Sequence, residues 1–192
     1  MLESLRQPLE ERQITLSNAN LRATYPADFI LIAAMNPCPC GNHGSNKLNC
    51  KCKPHQILNY QRRISGPLLD RFDMFINVPR LPTSVLLKST TFSNIDATSA
   101  KTQIATALSA QAQRFGQDSF FNAHLNSVET SKLITLSDTK QTLDRATKNL
   151  QLSARAYFRL IRVARTIADL SNEPEILPKH IAEAVRYRDL KL

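Results

Sequence analysis

Tryptophan is absent, glycine occurs four times, and aromatic residues number only twelve. A core must therefore come from leucine, isoleucine, valine and alanine, and 42% hydrophobic content is enough to build one. No run approaches the ~18 apolar residues of a membrane span. The opening "MLESLRQPLEERQ" is polar and helical in spacing, so no signal peptide is visible and a cytoplasmic location is expected. The shortage of glycine excludes more. A phosphate loop, G-x-x-x-x-G-K-[ST], needs two glycines because backbone amides must wrap the phosphates. The glycines are Gly41, Gly44, Gly66 and Gly116. The closest stretch, "GNHGSNKL", puts Asn46 at the second glycine and Leu48 at the hydroxyl position. No apolar run ends in Asp-Glu to hold magnesium, and Ser119 and His124 lack the context of a catalytic triad. The chain thus lacks the parts that bind and activate a nucleotide.

Acidic residues are also in deficit: 16 against 25 basic ones, a formal charge of +9. That suits an anionic partner such as nucleic acid or phosphate, and equally a basic solvated surface. The four cysteines lie close together as Cys38-x-Cys40 and Cys50-x-Cys52. In a reducing compartment such a cluster suggests metal rather than disulfides. Four thiolates suit tetrahedral zinc, although C-x-C is tighter than the usual C-x-x-C knuckle. Pro37, Pro39 and Gly41 bend the loop so that the first pair can converge, and His43 and His55 are reserve ligands. A redox pair or free surface thiols are the alternatives. With four protein ligands no position stays open for water, so a zinc here would be structural.

The 192 residues allow one domain or two small ones. Residues 2–11 read as a helix, "ITL" (14–16) as a short strand followed by a turn and a returning segment, and 54–64 as a helix. A further short helix is expected in "PLLDRF". "FILIAA" (29–34) and "MFINVPRL" (74–81) are continuous apolar runs that predict strands buried on both faces, as in a parallel sheet. Residues 83–98 have linker composition. Helices are predicted near 99–115, 137–149, 154–170 and 179–188, with Pro178 suited to a first turn. The expectation is an α/β piece over 1–90 followed by an all-α piece over 91–192.

In helix 154–170, Ser153 is a plausible N-cap. Tyr157, Leu160, Ile161, Ala164, Ile167 and Ala168 share one side, while Arg155, Arg159 and Arg162 take the other with Arg165 at its edge. Such a cationic stripe is either a solvated face or a set of phosphate contacts. "SGPLLDRFD" (65–73) sets an exposed-looking Arg71 between Asp70 and Asp73 just before an apolar run. It can pair locally with either acid or reach a neighbouring subunit's phosphate.

Taken together, "LESLRQPLE", "ITLSNAN", "AAMNPCPCG", "CKC", "SGPLLDRFD" and "LSARAYFRLIRVARTIADL" resemble the C-terminal half of the magnesium-chelatase-like AAA+ ATPases. The resemblance covers nearly the whole chain and is weakest at 83–135. It implies a P-loop ATPase core truncated of its N-terminal strands, with uncovered apolar faces, followed by a helical lid. It implies ring assembly, typically a hexamer, with ATP and Mg2+ bound between subunits. By motif match, Asn36 would be sensor 1, Arg71 the arginine finger and Arg155 sensor 2. Residues 13–25 would form a hairpin facing a central pore and DNA, with Arg12 and Arg22 as nucleic-acid contacts. One branch of the family consists of DNA helicases that drive branch migration during natural transformation, and the cysteine loop favours that branch over chelatase-type remodelling subunits. The family's Walker A and B elements would precede "LESLRQPLE". The resemblance therefore implies a split or truncated gene product, inactive toward ATP alone, with a separate polypeptide as a possible supplier of the other half. A zinc-stabilised nucleic-acid-binding module working without ATP is the competing reading.

Overall fold

The computed structural model describes residues 2–18, 21–45, 48–79, 81 and 97–188. Most of the expected linker, 83–98, lies outside them. The chain divides into two compact units, one ending at Phe72 and the other beginning at Asp73.

The first unit opens with a 3-10 turn, Leu2–Leu5, that runs into α1, Arg6–Glu11. The helix stops at Arg12, whose φ of 53° turns the chain out, its N–H donating to the Pro8 carbonyl at 3.0 Å. Strands β1, Gln13–Ser17, and β2, Arg22–Pro26, pair antiparallel from Gln13↔Pro26 to Ser17↔Arg22. Asn18 closes the tip by accepting the Leu21 N–H on its Oδ1 at 2.8 Å, the asparagine turn chemistry expected of a short hairpin. Helix α2, Pro54–Gln61, starts on a proline, and α3, Gly66–Leu69, is capped by the Ser65 hydroxyl.

Two expected strands are absent. Residues 29–34 and 74–79 run without sheet pairing, and most of their apolar side chains are exposed, Ile30 at 91% and Val78 at 85%, with Leu31 and Phe75 half-buried. A strand is buried on both faces only when neighbours pair with its two edges and helices cover it. Among the described residues β1 and β2 pair with each other alone, so these runs have no strand partner, and the Phe75 N–H donates instead to the Tyr187 carbonyl at 2.7 Å. The uncovered apolar faces expected above are therefore present, but on extended chain rather than on a sheet.

The second unit holds the larger core. It comprises α4, Ala97–Phe115; a 3-10 turn at Asn122–His124; α5, Ser127–Ser131; α6, Ser137–Leu150; α7, Ala154–Leu170; and α8, Pro178–Arg186. Ser153 caps α7 as predicted, accepting the Ala156 N–H at 3.2 Å. Leu160, Ile161 and Ala164 of α7 are fully buried against Leu143, Ile176 and Ile181, with Tyr157 packed on the cluster's margin. Helix α5 and the turn before it carry too little periodicity to be read from sequence.

His180 sits in this core at 2% exposure. Its Nδ1 accepts the Leu177 N–H at 3.1 Å, capping α8, while Nε2 is buried without a hydrogen-bond partner. Burial first, and then Lys179 beside it, push the imidazole below its usual range. The neutral form is thus favoured in the fold, whereas the unfolded chain takes up a proton near pH 6.5. This contribution to stability is present above about pH 6.5 and is lost as the pH falls below it. Melting temperature should therefore drop between about pH 6.5 and 5. His180→Gln, which keeps an acceptor for the cap, should flatten that dependence. An unchanged pH profile in the variant would refute the assignment.

Candidate functional site

Asn36 ends the apolar run 29–35 and precedes the turn that begins the thiol loop. The loop folds because Gly41 adopts a conformation that the sequence offered. The Gly41 N–H returns to the Cys38 carbonyl at 3.0 Å with φ at 75°, a conformation that L side chains rarely adopt. A Cβ on Gly41 would also come within 3.9 Å of the Asn36 side-chain amide, which lies over the turn. Gln61 of α2 donates to the Pro37 carbonyl at 3.1 Å and ties the loop to the helix.

The turn brings the sulfurs together. Cys38 Sγ lies 3.4 Å from Cys40 Sγ and 3.7 Å from Cys50 Sγ, and Cys40 lies 3.5 Å from Cys50. All four Sγ atoms fall within 4.8 Å of one another. Zinc–sulfur bonds of about 2.3 Å in a tetrahedron separate the sulfurs by about 3.7 Å, so the cluster has the size of a four-cysteine zinc site. The spacing is far from that of a disulfide, and all four cysteines are free thiols. The reserve ligands are not in the cluster; His43 serves it through its backbone N–H, 3.4 Å from Cys38 Sγ.

Four thiols this close do not ionise alike. Backbone N–H groups of Asn42 and Lys51 aimed at Cys40 lower it to about 6. The Cys52 amide also acts to lower Cys50, but desolvation and the sulfurs of Cys40 and Cys38 outweigh it and push Cys50 up to about 12. Desolvation acts to raise Cys38, but the N–H groups of His43 and Cys40 and the Cys50 thiol together lower it, whereas desolvation raises Cys52. Thiolate charge is thus favoured on the first pair, and a cation among the sulfurs would favour it on the second.

Arg71 is not exposed. Its side chain is 11% accessible and folds back on α1, pairing with Glu10 at 3.1 Å. It also donates to the carbonyls of Arg6 at 3.2 Å and Pro67 at 2.6 Å. The expected local partners are displaced: Asp73 instead takes Arg159 at 2.6 Å within the second unit. Arg12 leans toward Asp28, 3.6 Å away, and Arg22 is exposed beside the hairpin tip.

The arginine stripe of α7 is largely not a solvated face. Arg159 is 9% exposed and Arg165 2%. Arg162 donates to the Leu125 carbonyl at 2.9 Å, and Arg155, in the first turn, is the exposed member of the four. Arg165 is held by Asp169, which also binds Arg114 and Asn122. Sequence reasoning missed this buried carboxylate, although the i,i+4 spacing of Arg165 and Asp169 was a usable signal. Asn36 and Arg71 belong to the first unit and Arg155 to the second.

Two family models match in order: "Magnesium chelatase, subunit ChlI" over residues 1–86, and "Magnesium chelatase, subunit ChlI C-terminal" over 95–188. The chain is 41% identical over 189 residues to the competence protein ComM of Haemophilus influenzae. It is 39% and 40% identical over 188 residues to the uncharacterised proteins YifB of Escherichia coli and of Salmonella typhimurium. These alignments take in 97–98% of this chain but 36% of each relative, so the chain spans about a third of their length.

Proposed function

Because the chain belongs to the magnesium chelatase ChlI-type family, we propose that it carries the nucleotide-sensing and lid portion of a ring-forming, ATP-driven DNA motor that acts in competence. In this reading Asn36 is sensor 1 and orders the attacking water, Arg71 is the finger toward a neighbouring subunit, and Arg155 is sensor 2. The hairpin of β1 and β2 presents Arg22, and Arg12 at its base, to DNA. A motor of this kind also requires a phosphate loop and magnesium-binding carboxylates, whose motifs are not found in these 192 residues. The observation that carries the reading is the ordered match of both models, which puts Asn36 in the first family segment and Arg155 in the second. The position of Arg155 supports it. A cation in the first turn of a 17-residue helix opposes the helix dipole and gains most from an anion bound there.

The test is reconstitution. The chain alone is expected to hydrolyse ATP no faster than buffer. Adding a polypeptide with a ChlI-type phosphate loop and acidic strand end should give DNA-stimulated hydrolysis that Asn36→Ala abolishes. Hydrolysis by the chain alone that survives both Asn36→Ala and Arg71→Ala would overturn the proposal.

We also propose that Cys38, Cys40, Cys50 and Cys52 hold a structural zinc, which would bring the charge their crowded sulfurs need. Protein purified without added zinc should contain it near-stoichiometrically. Cys38→Ser should lower zinc affinity beyond the roughly 10–100-fold that loss of a supporting residue costs. Folded, metal-free protein would refute the site.

A further inference from the structure

Between Asp28 and Asp70 the sequence contains no acidic residue, while it contains Lys47, Lys51, Lys53, Arg62 and Arg63. Nearly all of the thiol loop and the whole of α2 fall in this stretch. Lys51, Lys53, Arg62 and Arg63 are exposed, and among the described residues none of the four pairs with a carboxylate. An unbalanced cationic face that holds its charge on a small, braced element is the electrostatic footprint of a polyanion site.

The face is also shaped. A cleft of about 600 Å³ opens between the thiol loop and α2, with Cys40 and Cys52 in one wall. Lys51, His55, Gln56, Asn59, Tyr60 and Arg63 line the rest. The Arg63 guanidinium lies 5.9 Å from the centre of the Tyr60 ring, so the ring is backed by a cation. Asn59 adds an amide able both to donate to and to accept from a base edge, and Gln56, whose Oε1 already accepts the Lys53 N–H at 2.9 Å, adds a donor. Cations for phosphates, an aromatic platform and amides in one cleft are the parts list of single-strand recognition. The aromatic ring and the amides favour a single strand, whose bases can reach them, whereas a duplex keeps its bases stacked inside.

We propose that this cleft binds single-stranded nucleic acid, with Lys51 and Arg63 on phosphates and Tyr60 under a base. It is separate from the β1–β2 hairpin and needs no nucleotide hydrolysis, so it stands apart from the motor reading. The thiol loop acts here as a brace that fixes Lys51 and the Cys40–Cys52 wall opposite α2.

Fluorescence anisotropy with a labelled 12-nucleotide thymidine oligomer tests this on the zinc-loaded full chain. Binding is expected to be tighter for the single strand than for a duplex of equal length. The double variant Lys51→Ala/Arg63→Ala should flatten the slope of log K against log salt by about 1.4, since each single-strand phosphate contact contributes about 0.7. Tyr60→Ala should weaken binding by about 5- to 150-fold, and Tyr60→Phe should leave it unchanged, because stacking needs the ring and not the hydroxyl. The paired control Lys140→Ala/Lys148→Ala, two exposed cations of α6, should retain cleft binding. If affinity is lost only in that control, or the duplex binds more tightly, or the salt slope of Lys51→Ala/Arg63→Ala matches wild type, the cleft proposal fails while the motor reading stands. Circular dichroism and zinc content of each variant report whether the loop is intact.

Discussion

Arg71→Ala is expected to lower ATP hydrolysis in the reconstituted assembly by about 10³-fold, the low end of what a finger contributes, with nucleotide affinity changed far less. A finger acts on charge that develops in the transition state, so the loss falls on turnover and not on binding. Lysine should rescue poorly. It restores the charge but not the planar fork that meets two phosphate oxygens at once. The structure adds a constraint: the guanidinium is folded onto α1, held by Glu10 and by the carbonyls of Arg6 and Pro67. To reach a neighbour's phosphate it must leave Glu10. Glu10→Ala should therefore preserve hydrolysis or raise it, while Arg71→Ala removes it. Light scattering should show assembly intact in both variants. Hydrolysis within about threefold of wild type in assembled Arg71→Ala would place Arg71 in the scaffold of α1 and nowhere else.

That constraint also marks what sequence could tell. Arg71 stands between two acids, and proximity alone suggested Asp70 or Asp73; its partner is Glu10, across a fold formed by α1 and α3. Features whose causes are local were legible. Helix α7 announces itself through its apolar side and the Ser153 cap, and its bounds fall at 154 and 170 as read. The hairpin follows from a short apolar strand, an asparagine turn and a returning segment. The thiol cluster follows from two C-x-C pairs and a glycine free to take positive φ. The failures share one cause, since each depends on a partner far along the chain. "FILIAA" has the composition of a buried strand, but composition does not supply the neighbours that make it one. Arg159, across from the apolar side, and Arg165, at its edge, read as part of a cationic stripe that either meets solvent or contacts phosphate. They are buried because Asp73 and Asp169 make burial tolerable. A cationic stripe on a helix is thus no guide to exposure until its carboxylates are located.

Asp169 is where this matters most for stability. At 1% exposure it accepts from Arg165 at 2.9 Å, from Asn122 at 2.8 Å and from Arg114 at 3.1 Å. Arg165 is itself 2% exposed; its Nη1 and Nη2 also donate to the carbonyls of Pro174 at 2.9 Å and Glu173 at 2.6 Å. One carboxylate therefore serves two guanidinium groups, and it joins α4, the turn at Asn122 and α7 through a single side chain. Burial lowers Arg165 below the usual guanidinium range, against the pull of Asp169, which favours the charged form. Removing the carboxylate leaves a buried cation without its counter-charge and costs the buried Asn122 amide one acceptor, with Thr166 Oγ1 remaining at 3.1 Å. Asp169→Ala should destabilise the second unit by about 3–5 kcal/mol, the cost of orphaning one member of a buried pair. For a unit of this size that lowers the melting temperature by about 15 °C or more. The pair itself need not be a large net gain, because desolvating both charges offsets much of their attraction. The double variant Asp169→Ala/Arg165→Met, which removes the stranded charge along with its partner, should therefore recover part of the loss. Asp169→Asn, which keeps an acceptor oxygen but not the charge, should fall between. Melting of Asp169→Ala within about 3 °C of wild type would mean that Arg165 is satisfied by the Pro174 and Glu173 carbonyls alone. A double variant no better than the single would mean that the loss comes from Arg114 and Asn122 instead.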